Sequence, residues 1–202
     1  MYQRALAGYE KALSPEDRLT LDTVHNLGVL RREQGKLAEA EALYQRALAG
    51  SEKTLGLEHT STLATVYNLG ILRSEQGKLA EAEAMYRRAL TGYEKALGPE
   101  HKSTLKTVHN PGVLREDQGR LAEAEVMYQR ALAGYEKTLG PEHGATLKMV
   151  KNLSTLYADH GKVMEAETMY VRALQGYENA VGANHPRTRV IARSSNRLRT
   201  SS

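Results

Sequence analysis

The stretch from Tyr44 to Met85 returns from Tyr86 to Met127 with 28 of its 42 residues unchanged, and returns less closely on both sides. Tyr2, Tyr44, Tyr86, Tyr128 and Tyr170 keep this spacing, as do Asn26, Asn68, Asn110 and Asn152. Gly35, Gly77, Gly119 and Gly161 follow it too. A fixed period of this size marks a stacked array, in which each unit buries its apolar face only against its neighbours. The period therefore sets the architecture, and it points to a chain that holds something.

Within one unit, Leu63, Val66, Leu69, Gly70 and Leu72 recur at three- and four-residue steps, which predicts a helix with one apolar face. That helix, here called helix A, ends at Gln76-Gly77, where glycine can adopt the left-handed conformation. A second stripe through Leu79, Ala82, Tyr86, Ala89, Leu90, Tyr93 and Leu97 predicts helix B, closed by Gly98-Pro99. Two helices joined by a short loop make an antiparallel hairpin, and no stretch alternates like a strand. The chain contains no Phe or Trp, so tyrosine fills the large core positions and its hydroxyl needs a partner.

Asn68-Leu69-Gly70, then Ala82 and Tyr86 four apart, then Ala89, resemble the tetratricopeptide repeat pattern. The 42-residue unit, carrying "NLG", "QGKLAEAE", "YRRAL" and "LGPEH" in order, resembles the longer kinesin light chain type of repeat. Repeats of that type also occur as C-terminal arrays of large fungal signalling NTPases. The resemblance covers residues 1–186 and implies an all-α, right-handed superhelical solenoid of antiparallel helix pairs. About four full repeats would follow a half repeat at the N-terminus, because residues 1–13 read as a helix B without its helix A. Arrays need capping units, so this opening suggests a fragment, or an internal start, of a longer array. Residues 187–202 read as a basic Arg/Ser-rich tail, frayed or forming a partial capping helix.

Two positions depart from the pattern. Arg31, Arg73 and Arg115 stand where the family often has an aromatic residue, which only Tyr157 retains. Pro111 replaces a leucine inside a helix A. A proline there removes a backbone bond and clashes with the preceding turn, at about 3 kcal/mol, so a kink is expected.

The net charge of +4 belongs to the tail. Arg187, Arg189, Arg193, Arg197 and Arg199 contribute +5 without an acid among them, which leaves +4 − 5 = −1 for the repeats. The repeat body therefore has no electrostatic pull on nucleic acid. There is no cysteine, hence no disulfide or thiolate chemistry. No apolar run could span a bilayer and no signal pattern opens the chain, so the expected location is cytoplasmic.

Asn26, Asn68, Asn110 and Asn152 are the candidate binding residues, because asparagine in mid-helix is a poor helix former. The resemblance implies that helix A lines the concave groove and that an asparagine there can hold the backbone of an extended peptide. The alternative is that each one ties neighbouring repeats together. Lys106 and Lys148 lie four residues before Asn110 and Asn152, on the same helical face, whereas Asp22 and Ala64 occupy that slot earlier. These lysines favour an acidic ligand, and kinesin light chain repeats carry a similar pair and accept acidic peptides. Glu33, Glu75, Asp117 and Asp159 lie on the same stripe and could pair with arginine or select basic ligand residues.

His59, His101, His143 and His185 are one repeat apart, too far for shared metal coordination. Asp17 occupies their slot in the first unit, which suggests helix capping. No catalytic or phosphate-loop motif occurs. The sequence thus predicts a non-enzymatic scaffold that binds an extended, acidic peptide of a protein partner, with no cofactor or metal. End-to-end self-association, or a sensor array of a larger signalling NTPase, is the alternative.

Overall fold

The computed structural model describes residues 2–201, with side chains through residue 200. Among these residues there are ten α-helices and no strand. They form two compact units, divided between Pro99 and Glu100.

The first unit holds α1 (Tyr2–Ala12), α2 (Arg18–Glu33), α3 (Leu37–Thr54), α4 (Thr60–Glu75) and α5 (Leu79–Leu97), each packed on the next in sequence. The second holds α6 (Lys102–Asp117), α7 (Leu121–Leu139), α8 (Gly144–Asp159), α9 (Val163–Val181) and α10 (Pro186–Ser201), packed in the same serial manner. The pairs α2/α3, α4/α5, α6/α7 and α8/α9 are the four A/B hairpins. Loops of three residues force their helices to run antiparallel.

The caps explain why the helices stop where they do. Gly77 takes φ 74° after α4, and Lys78 N–H reaches back to the Arg73 carbonyl at 2.8 Å, closing the last turn. The slot before each helix A is a side-chain cap. The ring nitrogen Nδ1 of His59, His101 and His143 accepts the second helical amide at 3.1–3.2 Å, and Asp17 does so at 2.8 Å. The histidine series therefore caps helices. Thr62, Thr146 and Thr188 each donate to the glycine carbonyl six residues earlier, at 2.7–2.9 Å, which pins the start of helix A to the preceding loop. His185 and Thr188 thus build α10 as the start of another helix A.

The core is a layer of small residues that lets helices approach closely around buried tyrosines. Ala82 and Ala89 of α5 are fully buried, and Tyr86 is buried beside them. A Cβ on Gly70 would meet the Tyr86 ring at 2.8 Å, so glycine is what admits the ring. Buried hydroxyls find partners as required: Tyr93 donates to the Thr60 carbonyl at 3.2 Å and Tyr128 to Glu116 at 2.8 Å. α6 runs unbroken through the buried Pro111 and has the same 16 residues as α2, α4 and α8.

Candidate functional site

The four asparagines occupy equivalent turns of helix A but differ in surroundings. Asn26 on α2 is exposed, whereas Asn68 on α4, Asn110 on α6 and Asn152 on α8 are half-buried. Two of them bridge neighbouring repeats. The Asn68 amide donates to His25 Nε2 at 3.2 Å, and the Asn152 amide donates to His109 Nε2 at 3.1 Å. The histidine in each case stands one position before the asparagine of the preceding repeat. An amide group has two donors and one acceptor, so one such bond does not exhaust it.

The two bridges differ at their far end. His25 Nδ1 meets Thr65 Oγ1 at 2.9 Å, and that hydroxyl donates to the Ser61 carbonyl at 3.1 Å. The chain Asn68–His25–Thr65–Ser61 thus fixes a neutral ring protonated on Nδ1, in line with burial holding the His25 pKa below its ordinary value. In the second unit Met149 takes the place of Thr65, and the buried His109 Nδ1 has no hydrogen-bond partner. Burial, with repulsion from Lys148 and Lys151, brings His109 down to about 4.

Lys106 and Lys148 are exposed on α6 and α8. Partial burial is the main cause that lowers the Lys148 pKa, and repulsion from Lys151, Lys106 and Arg187 lowers it further. Every charge acting on Lys148 is positive. The helix-A face of this unit is therefore cationic from α6 to α10. In the first unit the matching position on α2 is Asp22, which instead acts to raise the His25 pKa.

Of the acids on this stripe, Glu75 pairs with Arg32 of the preceding repeat at 2.7 Å. Arg73 is buried and reaches Glu41 of the preceding repeat at 2.8 Å, and Glu81 at 2.9 Å. Tyr157, at the matching position, donates to Glu125 at 3.1 Å. Glu125 is the counterpart of Glu41, so arginine and tyrosine perform one task at this position: both grip a glutamate of the preceding helix B. The sequence flagged the substitution but not the partner. The recurrence of glutamate at positions 41, 83 and 125 was the available signal.

A cleft of about 450 Å³ opens between α8, α9 and α10. Lys148, Lys151 and Arg187 line it together with Tyr177, Val190 and Ile191. Among the described residues no helix is long and apolar enough to cross a membrane.

Comparison with known proteins adds the following. The sequence pattern of the Tetratricopeptide repeat family matches residues 1–53, 19–95, 61–137 and 103–179. No curated protein matches the chain. Among solved structures, the nearly identical TPR-like repeats of a Podosopora anserina kinesin light chain-like protein share 26% identity, over 88% of this chain and 84% of theirs, with a TM-score of 0.77. BtubC (BKLC) from P. vanneervenii shares the fold at 19% identity and a TM-score of 0.72, covering 99% of this chain and 91% of its own. Aspartyl phosphate phosphatase F from Bacillus subtilis shares it at 12% identity and a TM-score of 0.76, over 89% of this chain and 45% of its own.

Proposed function

The chain belongs to the tetratricopeptide repeat family, and from that premise we propose that it is a non-catalytic scaffold whose helix-A face takes an extended, acidic segment of a partner protein. Arrays of this family bind protein partners, and the all-helical stack of hairpins has the fold for it. One observation carries the acidic preference: Lys148 sits among Lys106, Lys151 and Arg187, with no negative charge acting on it. Desolvated like charges raise each other's energy, and a bound carboxylate relieves that cost. Asn110 and Asn152 stand one turn beyond Lys106 and Lys148 and supply amides for the ligand backbone. Asn26 and Asn68 play the same part in the first unit. The protein works in the cytoplasm, and α10 closes the array as a partial cap.

Fluorescence polarisation with a labelled acidic peptide tests this reading at low and at physiological salt. Wild type should bind saturably and lose affinity with salt. Lys106→Glu/Lys148→Glu should weaken binding by at least about tenfold and flatten the salt dependence. Unchanged affinity in the double variant refutes the role given to the lysines.

A second reading rests on α1, which buries none of its residues and leaves Tyr2 and Leu13 exposed at 42% and 38%. A second copy could pack against that helix. Molar mass by light scattering distinguishes the two readings: a strict monomer from micromolar concentration upward removes this one.

A further inference from the structure

The repeats of this chain are so alike that the positions where they differ carry information, and three such positions meet at one cleft. Lys148 replaces Asp22 and Ala64 of the earlier units. Lys151 replaces His25, Tyr67 and His109. Arg187 replaces Ser61, Ser103 and Ala145. All three substitutions add a positive charge, and all three line the cleft between α8, α9 and α10.

The cleft has two further properties. Its remaining wall is apolar, with Val190, Ile191 and the ring of Tyr177, and Arg187 lies close enough to act on that tyrosine's hydroxyl. The first residues of two helices, Gly144 of α8 and Pro186 of α10, also line it, so the positive ends of both helix dipoles are turned toward the same space. Three cations and two helix starts provide more positive charge than one carboxylate can neutralise. A phosphate monoester carries about −1.5 to −2 at neutral pH and offers three strong acceptor oxygens. An arginine fork suits it better than it suits a point charge. A cleft of about 450 Å³ also has room for an aromatic ring beside the apolar wall.

From this arrangement we propose that the cleft between α8, α9 and α10 receives a phosphorylated tyrosine of the partner segment, its phosphate held by Lys148, Lys151 and Arg187 and its ring laid against Tyr177, Val190 and Ile191. The proposal rests on the reading of this face as a peptide-binding surface and adds to it a modification that switches binding on. Lys106 and the asparagines hold the rest of the segment and do not read the phosphate.

The test uses the full chain and one acidic peptide in three forms, bearing tyrosine, phosphotyrosine or glutamate at a single position. Isothermal titration should show the phosphotyrosine form binding about tenfold or more tighter than either other form. Lys151→Ala/Arg187→Ala should remove that gain while leaving the affinity for the tyrosine form within about twofold, since neither residue touches the Lys106 region. A gain that survives in the double variant, or equal binding of the tyrosine and phosphotyrosine forms, overturns the cleft proposal and leaves the acidic-peptide reading standing. Phenyl phosphate supplies a readout independent of any peptide. It should shift the Tyr177 ring and Ile191 methyl signals saturably in NMR, and inorganic phosphate should do so far more weakly. Should no peptide form bind, the acidic-peptide reading fails, and phenyl phosphate alone decides the cleft: saturable shifts uphold it and their absence overturns it.

Discussion

Gly92 of α5 separates two opposing effects of one methyl group, and the structure predicts which of them wins. Glycine inside a helix costs about 1 kcal/mol relative to alanine, so Gly92→Ala should stabilise the protein if the space were open. It is not open: the added Cβ would lie 2.5 Å from Leu63 Cδ2, 2.8 Å from Cδ1 and 3.2 Å from Cγ. Leu63 is 1% exposed and has no free volume to retreat into. Forcing an extra carbon into such a core costs about 1–3 kcal/mol, so the net effect should be a loss of about 1 kcal/mol. Removing the obstacle should reverse the sign. In a Leu63→Ala background, itself destabilised by about 2–5 kcal/mol, the clash is gone and Gly92→Ala should stabilise by about 1 kcal/mol. The coupling between the sites is then about 2 kcal/mol, well above the scatter of independent sites. Urea denaturation of the four proteins measures it. Stabilisation by Gly92→Ala in the otherwise unaltered chain, or the same effect in both backgrounds, refutes the claim that close helix approach dictates this glycine. The same pairing recurs at Gly50 with Leu21, Gly134 with Leu105 and Gly176 with Leu147.

Pro111→Leu should raise the melting temperature by several degrees, because the buried proline forfeits a hydrogen bond inside α6; an unchanged value by calorimetry contradicts this. Asn152→Ala should cost about 1 kcal/mol in denaturant unfolding by breaking the bridge to His109. Asn26→Ala, at an exposed helical site, should be neutral or stabilising by a few tenths of a kcal/mol. Lys148→Glu should raise the His109 pKa, read from its ring proton shifts, because it replaces a repelling cation with a carboxylate. The sign for stability follows: unfolding restores an ordinary histidine near 6.5 from about 4, so the unfolded chain binds the extra proton and stability falls as pH drops through that window. His25 contributes in the same direction. Denaturation midpoints at pH 7 and pH 5 measure the slope, and Lys148→Glu should flatten it.

The helices were legible because period, apolar stripe and glycine stops all point to the same boundaries, as at Gln76-Gly77 and Gly98-Pro99. The capping role of the histidines was legible for a similar reason: Asp17 in the first unit leaves a hydrogen-bond acceptor as their shared property. The asparagine bridges were less so. Asn68 and His25 are 43 residues apart, one more than the period, and only stacking brings that diagonal together. Pro111 pointed to a bend, yet α6 continues through it, which the neighbouring helix packing must sustain. The cationic cleft was hidden because its members sit on three helices. Lys148 could be recognised from its own helix, whereas Lys151 and Arg187 gain meaning only once α8, α9 and α10 are packed.

The central claim is that the helix-A face of the second unit receives an acidic segment, and mapping of backbone amide shifts on the isotopically labelled chain tests it most directly. Titration with an acidic peptide should move signals around Lys106, Asn110, Lys148 and Asn152 on α6 and α8 and leave the outward faces of α7 and α9 unchanged. Shifts confined to α7 and α9, or none at saturating peptide, would contradict it.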